Sequence, residues 1–102
     1  MSKIQAYTEE EVRNKFLSTT KGIAHYWATT KDGGTTQERI EGAIFSLLNV
    51  IDGGSHMPSF DLVVRPHPDD KDYHINMGSK YYEDGMNICD GELHSQFINF
   101  KE

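Results

Sequence analysis

Cysteine is almost missing from this chain of 102 residues, where Cys89 stands alone. A lone thiol excludes a disulfide framework within the chain and fits a reducing compartment. Basic residues are also short, 10 against 16 acidic ones, for a net charge of −6 with histidine neutral. That balance disfavours electrostatic capture of a phosphate backbone, so direct binding to nucleic acid is not expected. The shortage is sharpest late in the chain, where Lys80 alone separates Lys71 from Lys101 while Glu83, Asp84, Asp90 and Glu92 fall in the same stretch. Long apolar runs are missing too. The best one, residues 43–51, is broken by Ser46 and Asn49 and falls far short of the roughly 20 residues that span a bilayer. The opening MSKIQAYTEEEV lacks the apolar stretch of a signal peptide, so the expectation is a cytoplasmic protein with no membrane partner. The glycine pairs at 33–34 and 53–54 lack the continuation of a phosphate-cradling loop. With no internal repeat and no long linker, residues 1–102 read as one domain.

What is present suits a globular chain: 36% hydrophobic and 11% aromatic residues, too many for disorder. Thr8-Glu-Glu-Glu11 is a capping box, with Glu9 and Glu10 where the helix dipole favours negative charge. It predicts a helix from about Thr8 to Thr19 carrying Val12, Phe16 and Leu17. Residues 21–30, with Ile23, Tyr26 and Trp27, fit either more helix or a short strand. Thr35-Thr-Gln-Glu38 is a second capping box. Behind it Ile40, Ala43, Ile44, Leu47, Leu48 and Ile51 recur at helical spacing, and Gly53-Gly54 supplies a stop. This predicts the central helix, from about Thr36 to Asp52. Gly42 inside it costs about 1 kcal/mol relative to alanine, which close approach of another backbone would offset.

Phe60, Leu62 and Val64 fall on one face and Asp61, Val63 and Arg65 on the other, which predicts a strand with a buried face over Phe60 to Arg65, ended by Pro66 and Pro68. Pro68 suits the start of a short helix over Lys71–Met77 with Gly78 as its stop. Asp84-Gly85, between Tyr81-Tyr82 and Met86–Ile88, predicts a hairpin. Residues 90–97 read either as a helix capped by Asp90, the preferred reading, or as a strand after a second Asp-Gly turn. The expected fold class is α+β: two N-terminal amphipathic helices packed on a small, mainly antiparallel sheet, with one or two short helices. The face Ile40/Ile44/Leu47/Leu48/Ile51 would lie on that sheet.

One cluster has the chemistry of a metal site. His67-Pro-Asp69-Asp70-Lys-Asp72-Tyr-His74 offers imidazole and carboxylate ligands of the kind zinc takes. A helix opened by Pro68 would put Asp70 and His74 on one face, with His67 closing a three-ligand site. The aromatic side chains Trp27, Tyr73, Tyr81 and Tyr82 are the candidate binding residues, being amphipathic rings outside the best core helix. Cys89 and His94, five positions apart, are a weaker pairing that reads as structural.

The string His67-Pro-Asp69-Asp70 after a hydrophobic strand resembles the signature of the zinc-dependent sugar N-deacetylases. That resemblance implies His67 and Asp70 as ligands and Asp69 as the base. It covers four residues, and the family's domain is much larger. A broader resemblance rests on Glu38–Leu48, Ile51-Asp-Gly-Gly-Ser55, Met57–Leu62, His67–Lys71, Gly78, Tyr81-Tyr82 and Leu93-His94. Over about residues 36–98 the chain is similar to a family of small uncharacterised proteins of bacteriophages, prophages and some bacteria. This resemblance implies a phage or prophage setting and brings no catalytic residue with it.

The functional expectation is therefore a small acidic accessory protein that binds and does not catalyse. Its expected partner is a protein or a nucleotide-like small molecule, a homodimer being compatible with both. No cofactor is expected. A divalent metal enters only with the alternative, a small metal-dependent hydrolase using His67, Asp69, Asp70 and His74. A second alternative is an acidic mimic of nucleic acid.

Overall fold

A computed structural model describes residues 5–89 and 91–101. Four helices follow in order: α1 (Glu9–Thr29), α2 (Thr36–Ile51), α3 (Asp70–Asn76) and α4 (Leu93–Asn99). Among the described residues there is no strand and no sheet, so the fold is helical and the expected α+β class is corrected.

Both capping boxes are formed. Thr8 accepts from the Glu11 amide at 3.1 Å while Glu11 accepts from the Thr8 amide at 2.8 Å. Thr35 and Glu38 repeat the exchange at the start of α2, at 3.2 Å each way. The undecided segment after Thr19 continues as helix, so α1 runs unbroken to Thr29. Its inward positions Val12, Phe16, Thr19, Ile23 and Trp27 are half-buried at helical spacing. α2 ends in a Schellman motif: Gly54 N–H donates to Asn49 O at 2.9 Å and Gly53 N–H to Val50 O at 3.1 Å. Gly53 adopts φ +88°, a left-handed conformation that a Cβ would disfavour.

Among the described residues the buried apolar ones are Val50, Ile51 and Met57. They sit where the loop after α2 folds back, fixed by Phe60 N–H donating to Ile51 O at 2.8 Å. The Phe60 ring meets Phe16 of α1 edge-on, centroids 5.4 Å apart. Thr19 Oγ1 lies 3.8 Å from the Met57 sulfur.

The expected sheet reduces to one antiparallel bridge, Val63 with Asn87. Val64 N–H donates to Met86 O, Gly85 N–H to Val64 O and Ile88 N–H to Leu62 O, at 2.8–2.9 Å. Asp84-Gly85 does turn the chain, but residues 86–88 pair with 62–64 instead of with Tyr81-Tyr82. The physical reason lies on both sides of the bridge. Pro66 and Pro68 cannot extend the ladder, and among the described residues no third segment pairs with it. Val63 accordingly stays 43% exposed. Without a sheet beneath it, the stripe on α2 splits: Ile51 is buried while Ile40 and Ile44 remain exposed.

α2 packs against α1 on one side and α4 on another, and α3 packs against no other helix. The molecule is open and thin, with extents of 52 × 51 × 21 Å and a radius of gyration of 18.1 Å. A compact chain of this length would have a radius of about 13 Å. Its accessible surface is 8638 Å², where the size of the chain predicts about 5,800 Å².

Candidate functional site

Trp27, the sole tryptophan, forms the α1–α2 contact. Its indole Nε1–H donates to Ser46 Oγ at 3.0 Å, and Ser46 Oγ donates to Gly42 O at 2.9 Å. A Cβ on Gly42 would lie 2.6 Å from the indole ring. Gly42 therefore admits a side chain, the Trp27 ring, and not the backbone that the sequence reading expected. Arg39 Nη1 donates to Trp27 O at 3.0 Å, which satisfies a carbonyl in the last turn of α1.

α4 is joined to α2 by a polar clasp. Asp52 Oδ2 accepts from the His94 amide at 2.8 Å and lies 2.6 Å from His94 Nδ1. The other ring nitrogen, Nε2, lies 3.2 Å from Glu92 Oε2. The Asp52 side chain is 5% exposed and that of His94 17%. Burial alone would raise the Asp52 carboxyl, yet hydrogen bonds from the His94 amide and ring and the Leu93 amide, with the His94 charge, hold it below its ordinary value. The helix reading of residues 90–97 holds over Leu93–Asn99. Asp90, the expected cap, lies outside the described residues, and Asp52 supplies the cap contacts from the end of α2. Phe45 of α2 meets the His94 ring edge-on with centroids 5.3 Å apart.

Between these contacts α2, the end of α1 and α4 enclose an open groove of about 770 Å³. Its walls are the rings of Trp27, Phe45, Phe97 and Phe100, together with Ile98, Gln37 and Glu41. Among the described residues Glu41 is the one charged side chain of the lining, and its Oε1 accepts from Gln37 at 3.1 Å. The volume falls within the usual range of ligand sites. The arrangement can hold apolar groups by area and one positive charge by attraction.

The other expected site residues lie elsewhere. His67 Nδ1 accepts from the Asp69 amide at 3.2 Å, and the Asp70 carboxylate accepts from the His67 amide at 3.3 Å. His74 Nδ1 is 3.0 Å from Ser79 Oγ. These side chains are engaged in the local turn and the helix end. Among the described residues no three His, Cys, Asp or Glu side chains are arranged to hold a metal ion. Tyr73 and Tyr82 are exposed, Tyr73 edge-on to the His74 ring, while Lys71 Nζ lies 5.0 Å from the Tyr81 ring centre. Trp27 alone of the expected aromatic residues lines the groove. Cys89 Sγ lies 3.2 Å from the Leu62 amide, and the ring nitrogens of His94 face Asp52 and Glu92 instead of the thiol. With both nitrogens facing carboxylates, the imidazole has the partners of a clasp and no ring nitrogen turned toward a nucleophile.

Glu41, Phe45, Phe97, Phe100, Asp52 and His94 escaped the sequence reading as site residues. Phe45 and Phe97 carried an apolar signal that read as core. Nothing in the local sequence links Asp52 to a residue 42 positions away. Comparison with known proteins found no matching family model, no matching curated protein and no matching solved structure. No helix among the described residues is long and apolar enough to cross a membrane.

Proposed function

We propose that this chain is a binding protein whose groove receives an apolar, positively charged segment of a partner protein. The observation that carries this reading is the lining itself: four aromatic rings and one carboxylate, with no basic side chain among the described residues. Aromatic side chains offer a partner large contact area at little entropic cost, and a cation gains from both the rings and the carboxylate. The net charge of −6 adds long-range attraction for a basic partner. A nucleotide-like ligand is less favoured, because among the described lining residues its phosphates would meet Glu41 and no cation. We take the setting to be cytoplasmic and of phage or prophage type, on the lone cysteine and the resemblance over residues 36–98.

The test uses Trp27 as an optical reporter, since it is the only tryptophan and lines the groove. Peptides pairing lysine or arginine with neighbouring apolar residues are titrated against the intact chain. A saturable fluorescence change is expected, weakened about tenfold by Glu41→Lys, the loss of one favourable charge contact. Adenosine triphosphate serves as the phosphate-bearing control and should give no saturable change. If no basic apolar peptide saturates the signal, or if Glu41→Lys leaves affinity unchanged, the reading is wrong.

A further inference from the structure

Segment 60–65 has one side of its backbone engaged and the other side free. The Phe60 amide donates to Ile51 O at 2.8 Å, the Leu62 amide to Cys89 Sγ at 3.2 Å and the Val64 amide to Met86 O at 2.8 Å. The carbonyls of Leu62 and Val64 accept from the amides of Ile88 and Gly85. The residues between them, Asp61, Val63 and Arg65, have no partner for either backbone group among the described residues. This alternation marks extended chain, in which successive residues turn their N–H and C=O groups to opposite sides. Asp61, Val63 and Arg65 are all exposed, so the outward side is an open strand edge. Pro66, which has no N–H, ends it.

We infer that this edge pairs with the same edge of a second copy of the chain, antiparallel and two-fold symmetric about Val63. Register is the first argument. With Val63 on the axis, the two Val63 residues exchange both backbone hydrogen bonds, and Asp61 of each copy does the same with Arg65 of the other. Every free backbone group of the edge is used, and those already engaged on the far side stay as they are. Charge complementarity is the second argument and selects the occupant. Side chains at 61, 63 and 65 share one face of an extended segment. Each Asp61 carboxylate therefore stands opposite the guanidinium of Arg65 in the other copy, at a Cα separation of about 5.5 Å, with valine against valine between the two ion pairs. Within one copy these groups are unspent: among the described residues neither Asp61 nor Arg65 forms an ion pair. Arg13, which shares a surface cleft with Asp61, is held by Glu9 at 3.5 Å. Val63 is 43% exposed. In-register parallel pairing would set like charges together, and an antiparallel shift of two residues would leave an arginine or an aspartate without its opposite. Opposite charges at equal distances from an apolar centre make the edge complementary to itself, as an isologous contact requires. Each copy keeps its helical fold, and no residue of 61–65 lines the groove of Trp27, Phe45 and Phe97, so this inference stands apart from the binding function.

Sedimentation velocity on the intact chain, from 1 to 100 µM, tests it with a charge-swap cycle. The expected wild-type species at the upper end has twice the 11.6 kDa chain mass. Asp61→Arg and Arg65→Asp, made singly, each set two like-charged pairs across the axis and should weaken dimerisation at least about tenfold. The double variant Asp61→Arg/Arg65→Asp restores opposite charges in the same register and should dimerise within about threefold of wild type. A structural role of either side chain within one copy would not give that rescue. Val63→Lys, which sets two ammonium groups face to face on the axis, should also abolish the dimer while helical circular dichroism stays at the wild-type level. A wild-type monomer at 100 µM overturns the inference, and so does pairing of the edge with a strand of another protein only. A dimer indifferent to the single substitutions and to Val63→Lys, or one that the double variant fails to restore, overturns it as well.

Discussion

Asp52 Oδ2 lies 2.6 Å from Nδ1 of His94, a residue 42 positions further along the chain. This short contact, with the His94 amide on the same oxygen, is what ties α4 to the end of α2. Removing one partner leaves the other short of its hydrogen bonds in a largely dry site. Asp52→Ala should therefore destabilise the protein by roughly 3 kcal/mol. Urea unfolding followed by circular dichroism measures the loss. A midpoint equal to wild type would mean that the clasp contributes nothing.

The same carboxylate makes stability depend on pH. Its folded value lies below the ordinary 3.8, so the unfolded chain takes up the proton first as acid is added. The contribution is present above the ordinary value and is lost as pH falls through the lower, folded one. Thermal melts of wild type and Asp52→Asn, compared from pH 6 to pH 2, should differ clearly at the upper end and converge at the lower. A constant gap would assign the effect to packing instead of ionisation.

Gly42→Ala opposes two effects of known sign. Helix propensity favours alanine by about 1 kcal/mol. The new methyl would lie 2.6 Å from the Trp27 ring, and overpacking of this kind costs about 1–3 kcal/mol. Net destabilisation is expected, with a change in Trp27 emission because the ring must leave Ser46. A stabilised variant would show that the indole moves aside at no cost.

Val50 and Ile51 are buried, whereas Ile75 on α3 is 52% exposed. Ile51→Ala should cost about 3 kcal/mol through the cavity it leaves. Ile75→Ala should stay within about 0.5 kcal/mol. Chemical denaturation at one fixed concentration compares the two, and equal effects would relocate the core.

Zinc or manganese added to the purified chain should shift the melting temperature by less than about 1 °C. The ring of His74 is turned to Ser79, and that of His67 is engaged with the Asp69 amide. A shift of several degrees, abolished by His67→Ala, would show that these side chains rearrange around an ion.

Helices were legible wherever the signal is local. Thr8 with Glu11 and Thr35 with Glu38 announce helix starts within four residues, and Gly53-Gly54 announces a stop. The sheet was misread because alternation in Phe60–Arg65 describes a strand's faces without supplying neighbours. Pro66 and Pro68 then limit the pairing to a single bridge. Trp27, a lone amphipathic ring off the core stripe, stands out in the sequence and lines the candidate groove. No pattern in the sequence singles out Glu41, or sets Phe45 and Phe97 apart from other apolar helix residues. The Asp52–His94 clasp was illegible for a simpler reason: two short polar residues far apart in sequence carry no periodicity that could join them.

The span of that clasp sets an order of assembly. Only six residues separate α1 from α2, so the Trp27–Ser46 contact closes a short loop between adjacent helices. Bringing His94 to Asp52 closes a stretch of 42 residues against 19 for Trp27 and Ser46, at an extra chain-entropy cost of about 0.7 kcal/mol. The helical hairpin should thus be in place before α4 arrives, and on refolding the tryptophan signal should settle ahead of any probe carried on Leu93–Asn99.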